Sequence, residues 1–125
     1  MATDGILLWR ELFAIAEKVC KQYGLKFAKM EPETRKQAHI YGETVACDRC
    51  YDSPYINQGN CRDKIIRIRI HQLNRPNRPL KLRTLLDTLA HELAHLDPDT
   101  WDHGRGHKAK AHEILTFIRE LGYTG

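Results

Sequence analysis

The sequence predicts an α+β domain: an N-terminal helix and a small β-sheet packed against two C-terminal helices. Three observations carry that expectation. Leu8, Leu12, Ile15 and Val19 recur at helical spacing near the start of the chain. Leu82, Leu86, Leu89, Leu93 and Leu96 do so again beyond its midpoint. Between them, Ile66, Ile68 and Ile70 alternate with Arg67, Arg69 and His71, the period of a strand with one buried face. At 125 residues the chain reads as one domain, 1–125. A domain of this size buries about two-thirds of its unfolded surface and needs no disulfide staples.

The elements follow in order. Residues 4–23 form the first helix, with Thr3 or Asp4 available to cap it and Gly24 to end it. Residues 25–30 read as a short strand, 31–36 as a polar loop containing Pro32, and 40–46 as a second strand. The clearest strand is 64–73; residues 74–79 break it with two prolines. Residues 80–96 form a leucine-striped helix that Pro98 stops. A last helix covers 106–121, with Ile114, Phe117, Ile118 and Leu121 inward and Gly122 at its end.

Composition excludes several classes. Hydrophobic residues make up 42% and charged residues 29%, the balance of a globular domain rather than a disordered chain. No apolar stretch approaches the ~20 residues that span a bilayer, so no membrane segment is expected. The first twenty residues lack the uninterrupted apolar core and cleavage site of a signal peptide, so a cytoplasmic, intracellular protein is expected. The net charge is +4, but segment 62–83 holds eight bases (Arg62, Lys64, Arg67, Arg69, Arg75, Arg78, Lys81 and Arg83) against Asp63 alone. Such a stripe is either a nucleic-acid contact surface or the solvated face of a strand and its loop.

Five of the seven histidines fall between His91 and His112. Among them is His91-Glu92-Leu93-Ala94-His95, an HExxH late in the leucine-striped helix. Side chains at i and i+4 stack on one helix face, so both imidazoles can share one Zn²⁺ at about 2.0–2.1 Å. Glu92 follows the first ligand. There it can take a proton from water whose pKa zinc has lowered to about 7, and pass that proton to a leaving amine. A catalytic zinc needs a third protein ligand. His103, His107 and Glu113 are the candidates. The metzincin extension fails, because Pro98 and Trp101 stand where its glycine and third histidine would be. Asp87, one turn before His91, could orient an imidazole, as could Asp97, Asp99 or Asp102. Arg105 or Tyr123 could stabilise an oxyanion.

The HExxH followed by Asp102-His103-Gly104-Arg105-Gly106-His107 resembles the SprT-like and WLM group of small zinc metallopeptidases. These carry HExxH, a short loop, then a histidine followed by glycine and a bulky ring four residues on. The resemblance assigns the third ligand to His103, beside His91 and His95, and the ring position to His107, where the family has an aromatic. The specific match covers residues 82–118; upstream, the order of helix, Gly42-containing strand, Ile-rich strand and motif helix agrees in topology. The resemblance implies a minimal zincin-like domain, one catalytic Zn²⁺, and hydrolysis of peptide bonds in a protein or peptide substrate. Some members act on proteins crosslinked to DNA, and the basic 62–83 segment is the feature here that fits such a setting.

Cys20 lies on the apolar face of the first helix, where packing is its expected role. Cys47 and Cys50 form a CxxC, with Cys61 eleven residues on. These three thiols are candidate ligands of a second, structural zinc, with His39, His71 or Asp48 as the fourth; the alternatives are ordinary thiols or a reversible disulfide. A different class of function is therefore also open: a non-catalytic nucleic-acid-binding module with structural zinc.

Overall fold

The computed structural model describes residues 5–34, 41–47, 61–71, 80–101 and 103–123. It is α+β, as expected: the described residues form three α-helices and a three-stranded mixed sheet. Helix α1 is Gly5–Tyr23, and strands β1, β2 and β3 are Lys29–Pro32, Gly42–Val45 and Ile65–Ile68. Helix α2 is Leu82–Ala94, a 3-10 turn covers Pro98–Thr100, and helix α3 is Arg105–Glu120. No helix among the described residues is long and apolar enough to cross a membrane.

Helix α1 ends where Gly24 takes φ +66°, a left-handed cap that costs glycine little. Its Leu12, Ile15, Ala16 and Val19 are buried against Leu85, Leu86, Leu89 and Leu93 of α2 and Ile114 and Ile118 of α3 in one core. Leu121, expected to point inward, is 40% exposed because α3 ends one residue before it.

Strand β3 is central, in the order β1-β3-β2. β1 pairs with it in parallel (Lys29 opposite Ile65, Pro32 opposite Ile68), and β2 antiparallel (Gly42 opposite Ile68, Val45 opposite Ile65). The first strand therefore lies later than the 25–30 expected from sequence and includes Glu31 and Pro32, which had read as loop. Pro32 is tolerated because it closes a strand at the sheet edge. Ile66 and Ile68 face the core.

Three of the eight bases of the basic stripe are engaged within the fold. Arg67 is clamped between two carboxylates, its Nε 2.7 Å from Glu31 and its Nη1 2.8 Å from Glu43, and Lys29 extends the ladder to Glu31 at 3.0 Å. These pairs hold the Glu31 carboxyl below and the Arg67 guanidinium above their ordinary ranges. Arg69 is buried. Lys64 is only 1% exposed. Its ammonium donates to the Cys61 carbonyl at 2.8 Å and the Leu96 carbonyl at 3.2 Å, and lies 5.4 Å over the Trp101 ring. Of the eight bases, Lys64 and Arg69 are buried and Arg67 is paired on the sheet, Arg62, Lys81 and Arg83 are exposed, and Arg75 and Arg78 lie outside the described residues. Lys64→Met keeps the stem but strands both carbonyls, and is expected to cost about 1–3 kcal/mol, read as a lowered Tm.

Gly42 is where β2 meets α2. A Cβ there would stand 2.8 Å from Thr88 Cγ2, 3.0 Å from the Arg67 carbonyl oxygen and 3.2 Å from Glu92 Cγ. The Arg67 oxygen belongs to the paired strand and cannot yield. Gly42→Ala is therefore expected to destabilise by about 1–3 kcal/mol, measured by thermal unfolding.

Candidate metal centre

Helix α2 ends at the HExxH motif. His91 is in its last turn and His95 is the C-cap, with φ −72° and ψ −11°. The chain then turns through Pro98–Thr100. Asp97 caps that turn, accepting the Asp99 N–H at 2.9 Å, and the Thr100 hydroxyl donates back to the Ala94 carbonyl. This fold-back returns α3 across the motif, with Gly104 as its N-cap.

The result is a cluster of imidazoles. Ring centroids of His91 and His95 are 5.0 Å apart. His107 lies 4.3 Å from His91 and stacks on His95 at 4.0 Å and 20°. His103 lies farther out on the solvent side, 5.3 Å from His91 and 4.6 Å from His95, and is exposed. Among the described residues, the three whose ligand atoms all fall within 4.8 Å of one another are His91, His95 and His107. His103, expected as the third ligand, is not in that set, and neither is the exposed Glu113. The physical reason is helical phase. His107, Ala111, Ile114 and Ile118 fall on the inward stripe of α3, and His107 is 3% exposed. His103 precedes the helix cap.

The hydrogen bonds select tautomers. His95 Nδ1 lies 2.7 Å from the Trp101 carbonyl oxygen, which can only accept, so Nδ1 carries the proton and Nε2 keeps its lone pair. His107 Nε2 lies 2.9 Å from the His91 carbonyl oxygen, so it donates there and Nδ1 keeps the lone pair. Burial, reinforced by neighbouring imidazoles, pushes the His91 and His95 pKa values down to about 4. Both rings are neutral near pH 7, the form that binds a metal. Three imidazoles gathered in this way could hold a metal ion.

The residues that orient these rings were not legible from sequence. Backbone carbonyls of Trp101 and His91 do what Asp87, Asp97, Asp99 or Asp102 had been expected to do. Asp87 is exposed, Asp97 caps the 3-10 turn, and Asp102 lies outside the described residues. Arg105 is exposed, and Tyr123 sits beneath the Lys18 ammonium at 5.7 Å.

Glu92 is 5% exposed and lies against β2. The Thr44 hydroxyl is 2.9 Å from Glu92 Oε1 and 3.0 Å from its carbonyl oxygen, so one strand residue fixes both ends of Glu92. Burial pushes the Glu92 carboxyl up to about 7, with Glu43 adding to the rise and the Thr44 hydrogen bond opposing it. A carboxyl poised near neutrality is suited to moving protons.

The thiols divide. Cys20 is half-buried in the core, and burial followed by the Glu17 charge pushes its pKa up to about 11. Cys47 and Cys61 approach one another, while Cys50 and the candidate partners His39 and Asp48 lie outside the described residues. The cysteines do not form a close triad among the described residues.

Comparison with protein-family models, curated proteins and solved structures returns no match.

Proposed function

We propose that this chain is a small zinc-dependent metallopeptidase of SprT-like type, with His91, His95 and His107 as metal ligands and Glu92 as general base. The observation that carries the reading is the convergence of three imidazoles, two of them neutral at pH 7, beside a buried carboxyl held near neutral pKa. Zinc held there supplies Lewis acidity to a substrate carbonyl and lowers the pKa of water to about 7. Glu92 takes the water proton on a carboxylate oxygen and later delivers it to the leaving amine. Thr44 keeps that carboxylate in one place throughout. His95 and His107 hold their tautomers through the Trp101 and His91 carbonyls. The commitment of Lys64, Arg67 and Arg69 within the fold leaves Arg62, Lys81 and Arg83 as the exposed bases described in the stripe, a reduced motive for a purely nucleic-acid-binding module.

The test is reconstitution. Protein loaded with Zn²⁺ is expected to cleave an unfolded polypeptide, to lose that activity to a chelator, and to regain it on adding Zn²⁺. Protein that binds the ion at its histidines yet leaves unfolded polypeptides and peptides intact would reject hydrolysis and leave a binding site alone.

A further inference from the structure

The connection from β2 to β3 begins and ends with a thiol. Cys47 follows β2 by two residues, and Cys61 precedes β3 by four. Their sulfurs stand 3.5 Å apart, and the Cys47 backbone N–H donates to Cys61 Sγ at 3.4 Å. Cys61 is buried, and with Ala46 and Cys47 it forms a small cluster separate from the main core. We propose that Cys47 and Cys61 are two ligands of a structural site for a thiophilic divalent cation such as Zn²⁺, separate from the histidine centre and independent of its function.

Distance excludes a disulfide and leaves two roles, a hydrogen bond between ordinary thiols or a shared cation. A disulfide needs sulfurs about 2.05 Å apart. Two thiolates sharing a tetrahedral zinc at Zn–S of about 2.3 Å stand about 3.8 Å apart. The observed separation lies close to the second value and well beyond the first. The Cys47 N–H aimed at Cys61 Sγ is a donor that a metal-bound sulfur would also accept. The Lys64 ammonium, bonded to the Cys61 carbonyl, lies next to the pair and would offset the charge of two metal-bound thiolates. In the sequence, Cys50 stands in a CxxC with Cys47, the spacing at which zinc knuckles draw ligands.

The site would work as a clasp at the neck of the connection. Lys64 joins Cys61 to Leu96 at the end of the motif helix. Closing the neck thus fixes the start of β3 against the segment that carries the histidines.

Cobalt substitution tests this directly, because Co²⁺ bound by thiolates absorbs through a sulfur-to-metal charge-transfer band that imidazoles do not give. Reduced wild-type protein titrated with Co²⁺ is expected to show that band. A His95→Ala, His107→Ala double variant is expected to keep it, whatever becomes of hydrolysis. Cys47→Ser is expected to lose it and one equivalent of bound metal. Because a cysteine variant could fail to fold, native wild type is also alkylated with and without prior chelation and then peptide-mapped. Cys47 and Cys61 are expected to be protected until the chelator is added, with Cys20 indifferent to it. Absence of the band in wild type, or equal alkylation of Cys47 and Cys61 with and without chelator, overturns the proposal. So does a Cys47–Cys61 crosslink, seen as an intact mass short of two hydrogens and reversed by reductant, in protein that never binds the ion.

Discussion

Glu92→Gln is expected to lower the turnover of peptide hydrolysis by about 10²–10⁴-fold while bound metal stays at the wild-type amount. The two side chains have the same shape. The Gln oxygen can still accept from the Thr44 hydroxyl, which now sits 2.9 Å from Oε1, so β2 and α2 remain joined. The lost property is the ability to take up a proton, which an amide lacks near neutral pH. His91 and His95 keep their positions, because their orientation comes from the helix and from the Trp101 carbonyl and not from Glu92. The measurement pairs kcat with elemental analysis of the same sample. Unchanged kcat at full metal would remove Glu92 from the chemistry and leave it as a buried strut. Loss of metal together with activity would show that the carboxyl supports the ligands instead.

The sequence made some of this site legible because the relevant signals are local. The leucine stripe of α2 and the HExxH share one helix, and helical periodicity alone sets His91 and His95 on neighbouring turns. The alternation of Ile66 and Ile68 with Arg67 likewise marks β3. What escaped was set by pairing between distant segments. Arg69 reads as part of a charged outer face but is buried, and Lys64, in step with Ile66 and Ile68, is held inward by carbonyls of Cys61 and Leu96, the latter 32 residues away. Arg67 does face away from the core, yet Glu31 and Glu43 on the two flanking strands neutralise it. β1 was displaced for the same reason: its limits are fixed by parallel register against Ile65–Ile68, which its own residues do not encode.

Gly42 and Thr44 carry a related lesson. Neither has a chemical signature in sequence: Gly42 stands out only as a marker of strand order, and a threonine in a short strand is unremarked. Their meaning depends on β2 being the edge neighbour of β3 and lying against α2. Once it does, Gly42 permits the close approach and Thr44 meets Glu92. Both are backbone-scale consequences of topology, so a reading that looks for acids, bases and ligands passes over them.

His107→Ala is expected to reduce metal affinity by more than the 10–100-fold typical of losing an outer partner, whereas His103→Ala retains the ion. The opposite was expected from the resemblance to SprT-like enzymes, in which the histidine before the glycine is the ligand. Helical phase favours His107. It begins the stripe that Ala111, Ile114 and Ile118 continue into the core, and it belongs to the set whose ligand atoms lie within 4.8 Å of one another. His103 sits outside the cap and is exposed. Removing the His107 ring also deletes a buried hydrogen bond, so a drop in apo Tm is expected as well; the affinity is therefore read by competition with a chromophoric chelator on folded protein only. His103→Ala serves as the matched control, since it leaves that hydrogen bond intact. If His103→Ala loses the ion and His107→Ala keeps it, the two rings exchange roles on metal binding. His107 would then be the ring packed beneath the site, as in the family pattern.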